Sequence, residues 1–90
     1  MSITIMINQV LRYITGGSSK FEVNGNTVGE CLDLFVAEFP QVKEILFKDE
    51  GELFGYVNLF VNNKSCLSEG LDKPVGDGDE IYILTILDGG

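Results

Sequence analysis

Few groups in this sequence could carry out chemistry. Gly89 and Gly90 close it directly after an apolar run, which puts the last α-carboxylate on a residue without a side chain, able to thread a narrow site. At this glycine content a chance pair at that position has a probability of about 1–2%. Two cysteines, Cys31 and Cys66, are too few for a disulfide framework and lack metal-ligand spacing. Cys31 lies on an apolar helical stripe and is expected to be a buried, inert thiol. Cys66, beside a turn, is expected to be the more exposed of the two, with no base partner to activate it. Histidine is absent, which removes the commonest general base and the commonest metal ligand; no metal site is expected, and autonomous hydrolytic or zinc chemistry is disfavoured. Acids cluster at Asp49, Glu50 and Glu52, and again at Asp77, Asp79 and Glu80. Both clusters read as solvated loops, and Asp77-Gly78-Asp79-Glu80 lacks the spacing and distal glutamate of a calcium hand.

The 90 residues allow one small domain with a single core. A hydrophobic content of 44% and a charged content of 22% are those of a globular chain. The net charge of −8 argues against nucleic acid, which needs a basic face, and favours a basic partner. No apolar stretch reaches the length of a membrane span, so no membrane contact is expected. The N-terminus lacks a basic segment followed by a small-residue cleavage site, so the expected location is the cytoplasm.

The elements that must position the diglycine follow from periodicity. Ile3, Ile5 and Ile7 alternate with Thr4, Met6 and Asn8, a half-buried strand running on towards Leu11. Gly16-Gly17-Ser18-Ser19 is a turn signal, and Phe21 and Val23 make a second strand, giving an N-terminal antiparallel hairpin with a long loop. Thr27-Val28-Gly29-Glu30 fits a capping box, and Val28, Cys31, Leu32, Phe35, Val36 and Phe39 form the helical stripe that Pro40 ends. A short helical turn is expected over 42–47, a loop over 49–55, a strand over 56–61, a turn at Asn62-Asn63 and a short partner strand containing Cys66 and Leu67. Gly70 to Pro74 reads as irregular; Asp77-Gly78-Asp79 is a strong turn, and a final strand runs from Glu80 to Leu87 with Ile81 and Ile83 towards the core. Strands with a single main helix imply an α+β domain, a mixed sheet of about five strands with that helix on one face. The long apolar first and last strands are expected to pair at its centre, the β-grasp or ubiquitin-like arrangement. The domain is expected over 1–84, with 85–90 as a flexible tail.

In their order, Thr27-Val28-Gly29-Glu30, Leu59-Phe60-Val61-Asn62-Asn63, Leu71-Asp72-Lys73-Pro74-Val75 and Asp77-Gly78-Asp79-Glu80-Ile81, leading to Gly89-Gly90, resemble the small sulfur carriers of the MoaD/ThiS type, typified by the molybdopterin synthase small subunit and the thiamine-biosynthesis carrier. The resemblance implies that an ATP-dependent, ubiquitin-activating-enzyme-like partner adenylates Gly90. A persulfide or sulfide then displaces AMP, leaving a thiocarboxylate that donates sulfur in cofactor biosynthesis. It further implies a carrier without catalytic groups of its own, with ATP and Mg²⁺ used by the partner, no cofactor on this chain, and a synthase large subunit or other acceptor enzyme as the second partner. Length and the loop between helix and third strand point to the molybdopterin branch. Leu87, Asp88 and Gly89 would lie with Gly90 in the partner's channel. Asp88 departs from the small apolar residue common there and asks for a basic contact.

Six basic residues and no phosphate-cradling motif place the activating machinery on the partner. Affinity is then expected from a surface patch on the domain, with Phe60 as the first residue to test and core packing as its alternative. Other readings stay open: a protein modifier joined to lysines through the diglycine, a carrier for thiamine or cysteine biosynthesis, or a β-grasp binding module. A β-grasp iron–sulfur protein would need four cysteines.

Overall fold

A computed structural model describes residues 2–49, 52–66 and 70–85. The strands β1 (Ile3–Ile7), β2 (Lys20–Val23), β5 (Val57–Val61), β6 (Lys64–Ser65) and β7 (Glu80–Thr85) make one mixed sheet in the order β2-β1-β7-β5-β6. The first and last strands pair in parallel at its centre, Ile5 opposite Ile81 and Ile7 opposite Ile83. On the other side β7 runs antiparallel to β5, with Leu59 opposite Ile83 and Val61 opposite Ile81. This is the β-grasp expected from the sequence. Helix α1 (Gln9–Arg12) links β1 to β2, and between β2 and β5 the chain forms α2 (Val28–Glu38), α3 (Gln41–Leu46) and a small separate hairpin of β3 (Phe47–Asp49) and β4 (Glu52–Leu53).

The period of two sorts the central strands. Ile3, Ile5, Ile7, Val57, Leu59, Val61, Ile81 and Ile83 are buried against α2, which contributes Val28, Cys31, Leu32 and Phe35. Phe35 packs its ring 5.2 Å from Phe21 and 5.5 Å from Phe39, closing the stripe over β2. The helix starts where the capping box places it: Glu30 N–H donates to Thr27 Oγ1 at 3.1 Å, while Glu30 Oε1 accepts from Asn26 N–H, one residue earlier than the usual reciprocal bond. Gly25 is required beside it, since a Cβ there would stand 2.7 Å from Cys31 Sγ.

Three expectations need correction. The first strand stops at Ile7, because the next inward position is the polar Gln9; a helical turn brings Leu11 into the core instead. The segment expected as a loop from Asp49 contains β4, paired back on β3 (Phe47 opposite Leu53) and tied by Phe54 N–H to Leu46 O at 2.9 Å. Cys66 is as buried as Cys31: its N–H donates to Leu59 O at 3.1 Å, which continues the β5–β6 ladder and turns the thiol inward.

Candidate functional site: the end of the last strand and the open sheet face

Leu87, Asp88, Gly89 and Gly90 lie outside the described residues, so the site is built from what leads to them. Thr85, assigned to the tail in the sequence reading, is the last described residue of β7; it is 2% exposed and paired with Val57. From Thr85 to Gly90 the chain can span at most roughly 17 Å, one residue less than a tail starting at Thr85 would reach.

The inward pattern of β7 runs Ile81, Ile83 and then Thr85, a hydroxyl where the core would take a methyl group. Its partner is Asn8. Asn8 Nδ2 donates to Thr85 O at 2.8 Å, Thr85 N–H donates to Asn8 Oδ1 at 3.4 Å, and Thr85 Oγ1 donates to the same oxygen at 2.8 Å. Sequence reasoning missed this pair, which is 77 residues apart. Its one signal was polarity at matching ends of two apolar strands.

On the face away from α2, the register aligns side chains across the sheet. Met6 lies opposite Tyr82, Tyr82 opposite Phe60 and Phe60 opposite Ser65, with Leu84 opposite Asn58 in the next row. Phe60 and Tyr82 set their rings 6.4 Å apart. Met6, Phe60, Tyr82 and Leu84 are half-buried and lie outside the core cluster that α2 covers among the described residues, so the row is an apolar patch on the other face, two of whose members belong to β7. Phe60 therefore points away from the buried core.

At the opposite end of β7 the acidic turn is a tie rather than a free loop. Asp79 accepts from Asn62 Nδ2 at 3.0 Å and from Gly76 N–H at 2.8 Å, and these bonds, the Asn62 one foremost, hold its carboxyl below the usual range. Asp77 accepts from Ser2 N–H at 2.7 Å. Asn62 and Asn63 both take positive φ, 51° and 71°, as a two-residue hairpin turn demands. Burial pushes the Cys31 thiol up, which keeps it protonated and unreactive. Among the described residues no helix is long and apolar enough to cross a membrane.

The ThiS family model matches residues 5–90 of the chain, through the final diglycine. The sulfur carrier protein CysO of Mycobacterium tuberculosis is 32% identical over 93 aligned positions that cover both chains completely. The crystal structure of the Amycolatopsis orientalis BexX/CysO complex contains a chain that superimposes with a TM-score of 0.87 at 35% identity, over 98% of this chain and 99% of that one. Small archaeal modifier protein 1 of Haloferax volcanii is 31% identical over 72 residues, 79% of each chain, and a crystal structure of it superimposes with a TM-score of 0.87.

Proposed function

The chain belongs to the ThiS family, and from that premise we propose that it is a sulfur carrier whose Gly90 carboxylate is the reacting group. The observation that carries this reading is the family match running to residue 90, on a fold whose central strand β7 is described to Thr85, five residues before Gly90. A carboxylate is a poor electrophile. Its oxygen attacks the α-phosphorus of ATP on an activating enzyme and expels pyrophosphate. Hydrosulfide then attacks the acyl carbon and AMP leaves, giving a thiocarboxylate; a persulfide donor requires a thiol to release the product by reduction. Phosphate clamps and Mg²⁺ belong to the enzyme. This chain supplies the carboxylate, glycine clearance at Gly89 and the docking face around Phe60, while Asp88 meets a basic contact on the partner.

The acceptor is a separate choice. Length had pointed to the molybdopterin branch, with a synthase large subunit as acceptor, but CysO of M. tuberculosis aligns with this chain from end to end, so length does not distinguish the branches. The alternative of protein conjugation has its own support in the likeness to small archaeal modifier protein 1. Intact-mass measurement after incubation with the cognate activating enzyme, ATP and sulfide tests both. The carrier gains the mass difference of one sulfur for one oxygen; a modifier yields heavier adducts on other proteins. Deleting Gly90 is expected to abolish the product while leaving the melting temperature unchanged, and a truncated chain that still forms thiocarboxylate would overturn the assignment.

A further inference from the structure

Asn8 stands at the N-cap of α1, where an asparagine side chain ordinarily accepts from the helix's own first amides, yet it makes no capping bond. Its amide faces Thr85 as a peptide group would, Nδ2 to the carbonyl and Oδ1 to the N–H, and Oδ1 also takes the Thr85 hydroxyl. The backbone of Thr85 dictates this orientation, because only Nδ2 can serve a carbonyl. The described β1–β7 pairing ends at Ile7 and Ile83, so a side chain carries the ladder two residues further along β7. An apolar residue at position 85 would deny Oδ1 the shorter of its two bonds to Thr85.

We propose that Asn8 is a positioning residue: by clamping Thr85 it fixes the origin from which residues 86–90 run, and so sets where the reacting carboxylate can be delivered. The inference rests on the sulfur-carrier reading above. Once the domain has docked, entry of the carboxylate into the partner's site is intramolecular, and its frequency depends on how closely the tail's origin and span match the distance to be covered. If the strand end frays back towards Ile83, the carboxylate is spread over a larger volume. Fewer docked complexes are then productive. Docking itself is untouched, so the loss falls on kcat and spares KM.

Asn8→Ala and Asn8→Asp in the full chain test this, with turnover by the cognate activating enzyme measured beside amide hydrogen exchange at Thr85 and Ile83. Aspartate is as good an N-cap as asparagine but presents an acceptor where Thr85 O needs a donor. Both variants are expected to lose about tenfold in kcat with KM unchanged, and Asn8→Ala, which also removes the acceptor for Thr85 N–H, to exchange the Thr85 amide about tenfold faster with Ile83 unaffected. Wild-type kcat in both variants would show that the Asn8–Thr85 bonds do not govern delivery and overturn the proposal. Faster exchange throughout the sheet, with kcat unchanged, would make it a general stability residue and overturn it equally. If the wild-type chain itself gains no thiocarboxylate, the carrier reading is what has failed, and exchange at Thr85 alone decides the clamp.

Discussion

Replacing Phe60 by alanine separates the two roles open to that residue, because the structure assigns it different costs in folding and in binding. Its side chain points away from Leu59 and Val61, is half-buried, and has Tyr82 as its aromatic neighbour at 6.4 Å with a 34° tilt. A fully buried phenylalanine is worth about 3–5 kcal/mol on truncation to alanine. With roughly two-thirds or more of that cover and one loosely packed ring pair, Phe60→Ala should cost about 2–3 kcal/mol in folding. An aromatic anchor at the centre of an interface costs about 2 kcal/mol or more in binding, roughly a thirtyfold rise in Kd. Urea denaturation reads the first quantity; titration against the activating enzyme, with KM in the thiocarboxylation assay, reads the second. A folding loss of that size with Kd unchanged would refute the docking role and make Phe60 an ordinary packing residue.

Two further perturbations address the frame. Phe35 is 1% exposed and holds ring contacts with Phe21 and Phe39, so Phe35→Ala should cost about 3–5 kcal/mol by denaturation; less than about 2 kcal/mol would mean that α2 can collapse onto the sheet without it. Asp79 has its folded pKa held below the unfolded one by Asn62 and the Gly76 N–H, so it contributes stability above the unfolded value and loses that contribution as pH falls through the folded value. The urea midpoint should decline as the medium is acidified below about pH 4, and Asp79→Asn should flatten that part of the curve; an unchanged slope in the variant would show that other carboxylates carry it.

Much of this arrangement was legible because its causes are local. Alternation in Ile3–Ile7 and the three- and four-residue steps from Val28 to Phe39 are consequences of burial on one face, and a single sequence displays them. Thr27 and Glu30 cap the helix within a few residues of each other. Cys66 was misjudged because proximity to a turn says nothing of the next ladder bond, here to Leu59 O, which decides where the thiol points. The β3–β4 pair was hidden because its strands are three and two residues long, too short for a period to show. Asn8 was read as the outward residue after Ile7. Only the chain's return 77 positions later supplies the backbone that its amide completes.

The placement of part of the patch and of the clamped residue on β7 joins two demands that would otherwise conflict. A tail that must enter a buried site has to be long and slender, and ordering it costs free energy that its own contacts repay poorly. A domain that docks through a flexible joint would add the uncertainty of that joint to the tail's own. Here Tyr82 and Leu84 lie on the open face of β7, within three residues of Thr85, which Asn8 holds. At about 3.3 Å per residue the docking face and the tail's origin are roughly 10 Å apart along a strand paired with β5 throughout and with β1 as far as Ile83. On the sulfur-carrier reading, seating the patch seats the origin, and five residues, 86–90, follow it. That requirement accounts for a polar pair at the end of an apolar strand: the Asn8 amide bonds the Thr85 backbone at both its N–H and its carbonyl, and the Thr85 hydroxyl adds a third bond.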